Sequence, residues 1–348
     1  MTERVVLGTA LLGRAIGAGG ALLDDGPPLH GLRRCAAADV PAPRERVAVT
    51  EPFWTGIRAL DGPLAFGRGA RIGIFGAPGA GKSTLLEQLV AGSRADATVV
   101  ALIGERGREA ERWLRAIGTR TSIVCATSDR SAAERLAAAG LAFAQAAALR
   151  SRGLHVLLVL DSLARVAAAA RDVAIALGEP VGRAGFPPSV VARQARLLEC
   201  AGALAGGSIT LVATVLSEGP LEHDPVAEAA RAALDGHVVL GARLAAAGWF
   251  PAIDLPASAS RTLSEVASPA HRRAAGRLRA AVAALENARD ARSLGLDPAA
   301  GDPLLARAIA AEGRIGSFLR QPEGGADPAE TLMEMTRIAD SLDDGYLQ

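Results

Sequence analysis

Between residues 71 and 240 short apolar runs recur: Arg71–Phe75, Thr98–Ile103, Thr121–Ala126, His155–Leu160, Ser208–Leu216 and His237–Leu240. Stretches with helical spacing separate them. One opens at Gly81, a charged one at Arg108, an Ala-rich one runs to about Arg150, and another begins at Ser162. Continuous apolar strands alternating with helices predict a mostly parallel sheet with helices on both faces. After about Pro269 the strand pattern stops. Helical patterns near 270–291, 302–319 and 328–342, separated by Gly, Pro and Asp turns, predict a distinct helical domain. Residues 1–50 are irregular, with turns at Gly17–Gly20 and Asp24–Pro28 and a Pro/Arg stretch to Arg46. The expected division is therefore 1–50 as a β fragment with linker, 51–268 as the α/β domain, and 269–348 as the helical domain.

Composition refines this picture. Half of the 348 residues are apolar but only 3% are aromatic, so Ala, Leu and Val must fill the core. A formal net charge of +1 gives no global attraction to nucleic acid or anionic lipid. Cys35, Cys125 and Cys200 have neither metal-ligand spacing nor an even count, which points to reduced thiols in a cytoplasmic protein. The Ala-rich stretch Leu136–Leu149 is interrupted by Gln145 and is too short to span a bilayer. The apolar run Val5–Gly13 ends at Arg14 without a cleavage pattern, so no signal peptide is expected.

The chemistry centres on Gly76-Ala77-Pro78-Gly79-Ala80-Gly81-Lys82-Ser83, followed by Thr84. It matches G-x-x-x-x-G-K-[ST] in full, after a strand and at the opening of a helix. The glycines let successive backbone N–H groups wrap a phosphate, and the helix N-terminus adds partial positive charge. Lys82 is placed to reach the β- and γ-phosphates of ATP, and the Ser83 hydroxyl to ligate Mg²⁺. Lys82 is also the single lysine of the chain. Arg is used everywhere else, yet a compact point charge stands where it must fit beneath a phosphate.

Hydrolysis also needs a group that activates water and a second anchor for the metal. Glu105 follows the second strand in Gly104-Glu-Arg-Gly-Arg-Glu109, at a carboxyl end that borders the ligand crevice of such sheets. Its position alone fits either a water-activating base or an ion-pair partner for a nearby Arg. Asp161 ends the fourth strand. It fits the Mg²⁺-side acid, with a helix N-cap as the other reading.

Gly76–Thr84, Gly104–Glu109, Ala126-Thr-Ser-Asp-Arg-Ser131 and Asp161-Ser-Leu163 together resemble the catalytic subunits of rotary ATPases. They are still more similar to the type III secretion ATPases. Gly178-Glu-Pro180 with Gly185–Ser189, Leu216-Ser-Glu-Gly219, Asp235–Leu240, Phe250–Asp254 and Ser258–Arg261 point the same way. The resemblance covers roughly residues 8–345. It implies a RecA-like P-loop core, a C-terminal helical domain, and ATP and Mg²⁺ as ligands. On matching positions it implies Glu105 as the catalytic glutamate and Arg106 as an arginine on the γ-phosphate side. Asp161 becomes the Mg²⁺-side acid, Phe250 the aromatic against adenine, and Arg261 the arginine finger given to a neighbouring subunit. Without the family, Phe250 would read as core and Arg261 as a solvated surface residue.

The resemblance further implies a homohexamer with a coiled-coil stalk protein in its pore, a stator-like regulator, an export gate and chaperone–substrate complexes as partners. ATP turnover would release and unfold cargo in the cytoplasm, beside the inner membrane. Family members usually begin with a β-barrel domain. Only its tail is expected here, in about residues 1–25, which makes a monomer the alternative state in isolation. Competing readings are the catalytic subunit of an ion-translocating rotary ATPase, a nucleotide-binding subunit without turnover, and a hexameric RNA translocase. A single Tyr, few Phe and near-zero net charge argue against the last, so no nucleic-acid partner is expected. Glu105 argues against the non-hydrolytic subunit. The Gly185–Ser189 and Asp235–His237 patterns favour export over ion pumping.

Overall fold

A computed structural model describes residues 4–31, 33–35, 37–216, 224–299, 301–322 and 325–343. The strands are β1 (Arg4–Val6), β2 (Ala15–Ile16), β3 (Arg33–Cys35), β4 (Pro52–Phe53), β5 (Phe66–Gly67), β6 (Arg71–Gly76), β7 (Ala97–Ile103), β8 (Thr121–Ala126), β9 (His155–Asp161), β10 (Gly202–Leu204), β11 (Gly207–Leu216), β12 (Gly236–Leu240) and β13 (Ile253–Ser260). The helices are α1 (Arg58–Asp61), α2 (Lys82–Gly92), α3 (Gly107–Arg115), α4 (Ala132–Arg150), α5 (Leu163–Ala176), α6 (Pro188–Glu199), α7 (Pro225–Ala233), α8 (Ala242–Ala246), α9 (Leu263–Val266), α10 (Pro269–Ser293), α11 (Pro303–Leu319) and α12 (Pro328–Asp340). They form two compact units. The first comprises Met1–Val49, Arg68–Pro78 and Ala95–His237, and the second Thr50–Gly67, Gly79–Arg94 and Val238–Gln348.

The first unit is built on parallel strands in the order β6-β11-β9-β7-β8-β2, with β10 folded back antiparallel on β11. Every residue of β7, β8 and β9 is buried, as continuous apolar strands covered on both faces require. Parallel register brings their carboxyl ends to one edge. Gly76 pairs with Leu216, and Leu102 with Asp161. β2 adds a short edge strand beside β8. The next link in that region comes from Gln145, the polar residue that interrupts the Ala-rich run. It is fully buried in α4, accepts from the Gly8 N–H at 2.7 Å, and donates to the Gly8 carbonyl at 2.9 Å. A capping box starts α4. Ser131 Oγ accepts from the Glu134 N–H, and the Glu134 carboxylate accepts from the Ser131 N–H at 3.0 Å.

The second unit holds the P-loop helix and the C-terminal helices. α10, α11 and α12 each start with a capping side chain followed by proline: Ser268-Pro269, Asp302-Pro303 and Asp327-Pro328. Proline loses nothing at the first helical position, where its missing N–H has no partner to make. α10 packs on α11 and α12, burying Leu278, Ile315, Phe318, Met335 and Ile338. A buried acid, Asp61, organises the entry to this unit. It accepts from Thr55 N–H at 2.8 Å, Thr55 Oγ1 at 2.7 Å and Gly56 N–H at 2.8 Å. Burial pushes its carboxyl up to about 6 despite those donors.

Among the described residues no helix is long and apolar enough to cross a membrane. The described cysteines Cys125 and Cys200 are free and buried. The pattern therefore placed the parallel core and the three C-terminal helices correctly. It missed β13, whose burial alternates only partly along Ile253–Ser260, and the short hairpin strand β10.

Candidate active site

β6 runs to Gly76 and the phosphate loop continues to α2, which opens at Lys82. Gly79 and Gly81 have φ of 79° and 89°, in the left-handed region that glycine adopts without strain. Gly81 is the residue before the helix, and α2 has no acidic residue in its first turn to oppose an incoming anion. Leu85, Leu86 and Leu89 bury the opposite face of α2 and hold the helix in place.

Phe250 lies in the same unit. It is 40% exposed, so it is not a core residue. A Cβ added to Gly81 would meet Phe250 Cε1 at 3.4 Å, which puts the ring edge beside the phosphate-loop glycine. Arg261 follows β13, is exposed, and has no hydrogen bond or ion pair among the described residues.

The acids belong to the first unit. Asp161 ends β9 and is 8% exposed. Thr214, fully buried in β11, donates its hydroxyl to Asp161 Oδ1 at 2.5 Å. The helix that follows is capped by Ser162, whose Oγ accepts from the Arg165 N–H at 3.3 Å. Ser162 thus takes the N-cap role, and the Asp161 carboxylate points to other work. The Asp161 carboxylate, held by Thr214, is an oxygen donor of the kind Mg²⁺ takes when phosphate and water complete its shell. Among the described residues no cluster of three or more His, Cys, Asp or Glu forms a closed metal cage.

Glu105 follows β7 and is 6% exposed. Gly104 precedes it at φ 73°. A Cβ at Gly104 would come within 3.0 Å of Arg165 Cδ, so the turn needs glycine for conformation and for space. Arg165 Nε lies 2.8 Å from Glu105 Oε1. Burial, then a hydrogen bond with Glu109 and the negative charge of Asp161, push the Glu105 carboxyl up to about 8, while Arg165 pulls it down. A guanidinium beside Glu105 fits the pairing reading, and a proton affinity raised toward neutral pH fits the base reading. Arg106 is exposed at the N-cap of α3 and caps nothing with its side chain.

The sequence reading did not single out Arg165, Thr214 or Glu109. Arg165 lies in the first turn of α5 and Glu109 in the first turn of α3, and no sequence spacing ties Arg165 to Glu105. Thr214 shows only as a hydroxyl inside an apolar strand. The Ser217–Gly219 part of one motif lies outside the described residues.

Comparison with known proteins places the chain in a family. Residues 56–260 match the ATP synthase alpha/beta family, nucleotide-binding domain, and residues 267–337 match the T3SS EscN ATPase C-terminal domain. The chain is 46% identical over 350 residues to a type 3 secretion system ATPase of Sinorhizobium fredii, covering 97% of this chain and 76% of the relative. It is 42% identical to a flagellum-specific ATP synthase of Pseudomonas aeruginosa, covering 99% and 78%. The solved structure of the assembled ATPase EscN from enteropathogenic E. coli superposes with a TM-score of 0.92 at 39% identity, covering 97% of this chain and 83% of that one. EscN in complex with its central stalk EscO superposes with a TM-score of 0.89. Two family models in series and relatives covered over most of their length lead to one conclusion: the chain belongs to the type III secretion ATPases, the P-loop enzymes that hydrolyse ATP for protein export and are homologous to the flagellar export ATPases.

Proposed function

We propose that the chain acts as a homohexameric ATPase whose turnover releases and unfolds chaperone-bound cargo for type III export. The observation that carries this reading is the contrast at the site. The acids of hydrolysis are buried with partners, whereas Arg261 is exposed with none among the described residues. An arginine left open in this way suits a finger supplied to the neighbouring copy.

In this reading the backbone of Gly76–Thr84 and the Lys82 ammonium hold the β- and γ-phosphates. Ser83 and Asp161 hold Mg²⁺, directly or through water, with Thr214 fixing the Asp161 carboxylate. Bound there, Mg²⁺ would supply charge neutralisation of the phosphates. Glu105 orients the attacking water and takes its proton. Arg106 adds positive charge on the γ-phosphate side, and Phe250 lies against adenine. A coiled-coil stalk, a stator-like regulator and the export gate are the proposed partners, at the cytoplasmic face of the inner membrane. Solved EscN with its central stalk supports the stalk partner by analogy. The match of residues 267–337 to an export-ATPase C-terminal domain favours export over ion translocation.

The test is steady-state phosphate release against protein concentration, with Lys82→Ala as the blank. Specific activity should rise steeply with concentration and stay at background in the variant, with nucleotide affinity down about 10- to 100-fold for the lost charged contact. Undiminished turnover by Lys82→Ala would overturn the phosphate-loop assignment. Activity per protomer that stays flat down to concentrations where the chain is monomeric would overturn the shared site.

A further inference from the structure

Gln321 stands two residues past the end of α11 and is 6% exposed. Its amide is used at both atoms. Oε1 accepts from the Arg58 N–H at 2.9 Å, and Nε2 donates to the Gly56 carbonyl at 2.7 Å. These partners fix which way the amide faces, since a donor meets a carbonyl and an acceptor meets an N–H. The main chain here is also engaged. The Gln321 N–H donates to the Phe250 carbonyl at 3.0 Å. The carbonyls of Gln321 and Pro322 accept from Gln88 Nε2 at 3.2 and 2.9 Å. Gln88 lies on α2, the helix that opens at Lys82.

The neighbour of Phe250 is held by the same end of α11. The Arg320 guanidinium sits 4.2 Å from the centre of the Trp249 ring. Gly316 packs so closely that a Cβ there would lie 3.4 Å from Trp249 Cη2. The Phe250 side chain itself is 40% exposed. The Gln321 N–H holds the main chain from which that ring projects.

We propose that Gln321 is a positioning residue for the nucleotide base. Its side-chain amide locks residues 320–322 against the segment 56–58. The locked N–H fixes the Phe250 carbonyl, and Gln88 ties the same point to the phosphate-loop helix. The bonds from Gln88 reach main-chain carbonyls and do not involve the Gln321 amide, so the side chain of Gln321 bears on the base side alone. This rests on the reading of Phe250 as the residue against adenine. It adds a specific consequence: a change at the end of α11 alters affinity for the base and leaves affinity for the phosphates.

The experiment compares binding of ADP and of ribose 5′-diphosphate, neither of which turns over, by calorimetry on the full chain. Phe250→Ala should weaken ADP about tenfold and leave ribose 5′-diphosphate within about twofold, as loss of one base–aromatic stack predicts. Gln321→Ala should weaken ADP about fivefold with the same selectivity, and this loss should vanish in the Phe250→Ala background. Gln321→Met keeps the length without the amide and should behave like Gln321→Ala. It serves as the readout if the alanine variant does not fold. Equal loss for both ligands, undiminished loss in the Phe250→Ala background, or wild-type binding by Gln321→Met would overturn the proposal while the Phe250 reading stands. No base-selective effect of Phe250→Ala would overturn that reading and the proposal with it.

Discussion

Glu105 and Asp161 sit in the first unit at 6% and 8% exposure, each with a partner in place: Arg165 at 2.8 Å and Thr214 at 2.5 Å. Phe250 and Arg261 sit in the second unit, both exposed, and Arg261 has no side-chain partner among the described residues. The two acids proposed for proton and metal chemistry are thus preorganised inside the chain, where a low dielectric strengthens them. The two residues proposed to recognise a base and to stabilise leaving charge are presented outward. Such a division suits an enzyme that keeps its acids ready and delays full activity until something else completes the surface.

The largest expected effect tests the exposed half. Arg261→Ala should cut turnover about 10³- to 10⁵-fold, the range for fingers of this type, with nucleotide affinity of the dilute chain unchanged. Turnover within about threefold of wild type would make Arg261 a plain surface residue. Next comes the buried half. Glu105→Gln should lose about 10²- to 10⁴-fold in turnover at every protein concentration and still bind ATP. Lost binding would make Glu105 structural.

The raised Glu105 carboxyl sharpens the same point through pH. Burial holds the Glu105 carboxyl up at about 8. Because kcat/KM reports the free enzyme, it should rise with pH through that region and level off above it. A flat profile from pH 6 to 9 would remove the base role.

The smallest effect contrasts the two units in stability. Burial pushes His155, bonded through Nδ1 to Ser208 Oγ at 2.7 Å, down to about 4. Its folded value lies below its unfolded one, so its contribution is complete above about 6.5 and is lost as pH falls toward 4. Asp61, raised to about 6, has the opposite sign, being complete below 3.8 and lost as pH rises through 6. His155→Gln should remove about 2 kcal/mol of the destabilisation seen between pH 7 and pH 5. An unchanged pH dependence of denaturant unfolding would show that His155 is not held neutral.

Much of the core was legible because its signals are local. Gly76–Ser83 needs only backbone freedom and a point charge at fixed spacing, and continuous apolar runs such as β7 and β9 alternating with helices imply a parallel sheet covered on both faces. Thr214 and Arg165 were not legible, because each acts across strands or along a helix on an acid distant in sequence. Gln145 read as a polar break in an apolar helix, and its partner proved to be the main chain of Gly8, 137 residues away. Phe250 could not be told from core by type alone, since exposure is a property of the folded chain.

The most direct test of a site shared between copies is to mix Glu105→Gln with Arg261→Ala. Each variant lacks what the other carries, so turnover should appear in mixed assemblies and be absent from either alone. Mixed assemblies, verified by mass, that stay as inactive as their components would contradict a finger acting across the interface.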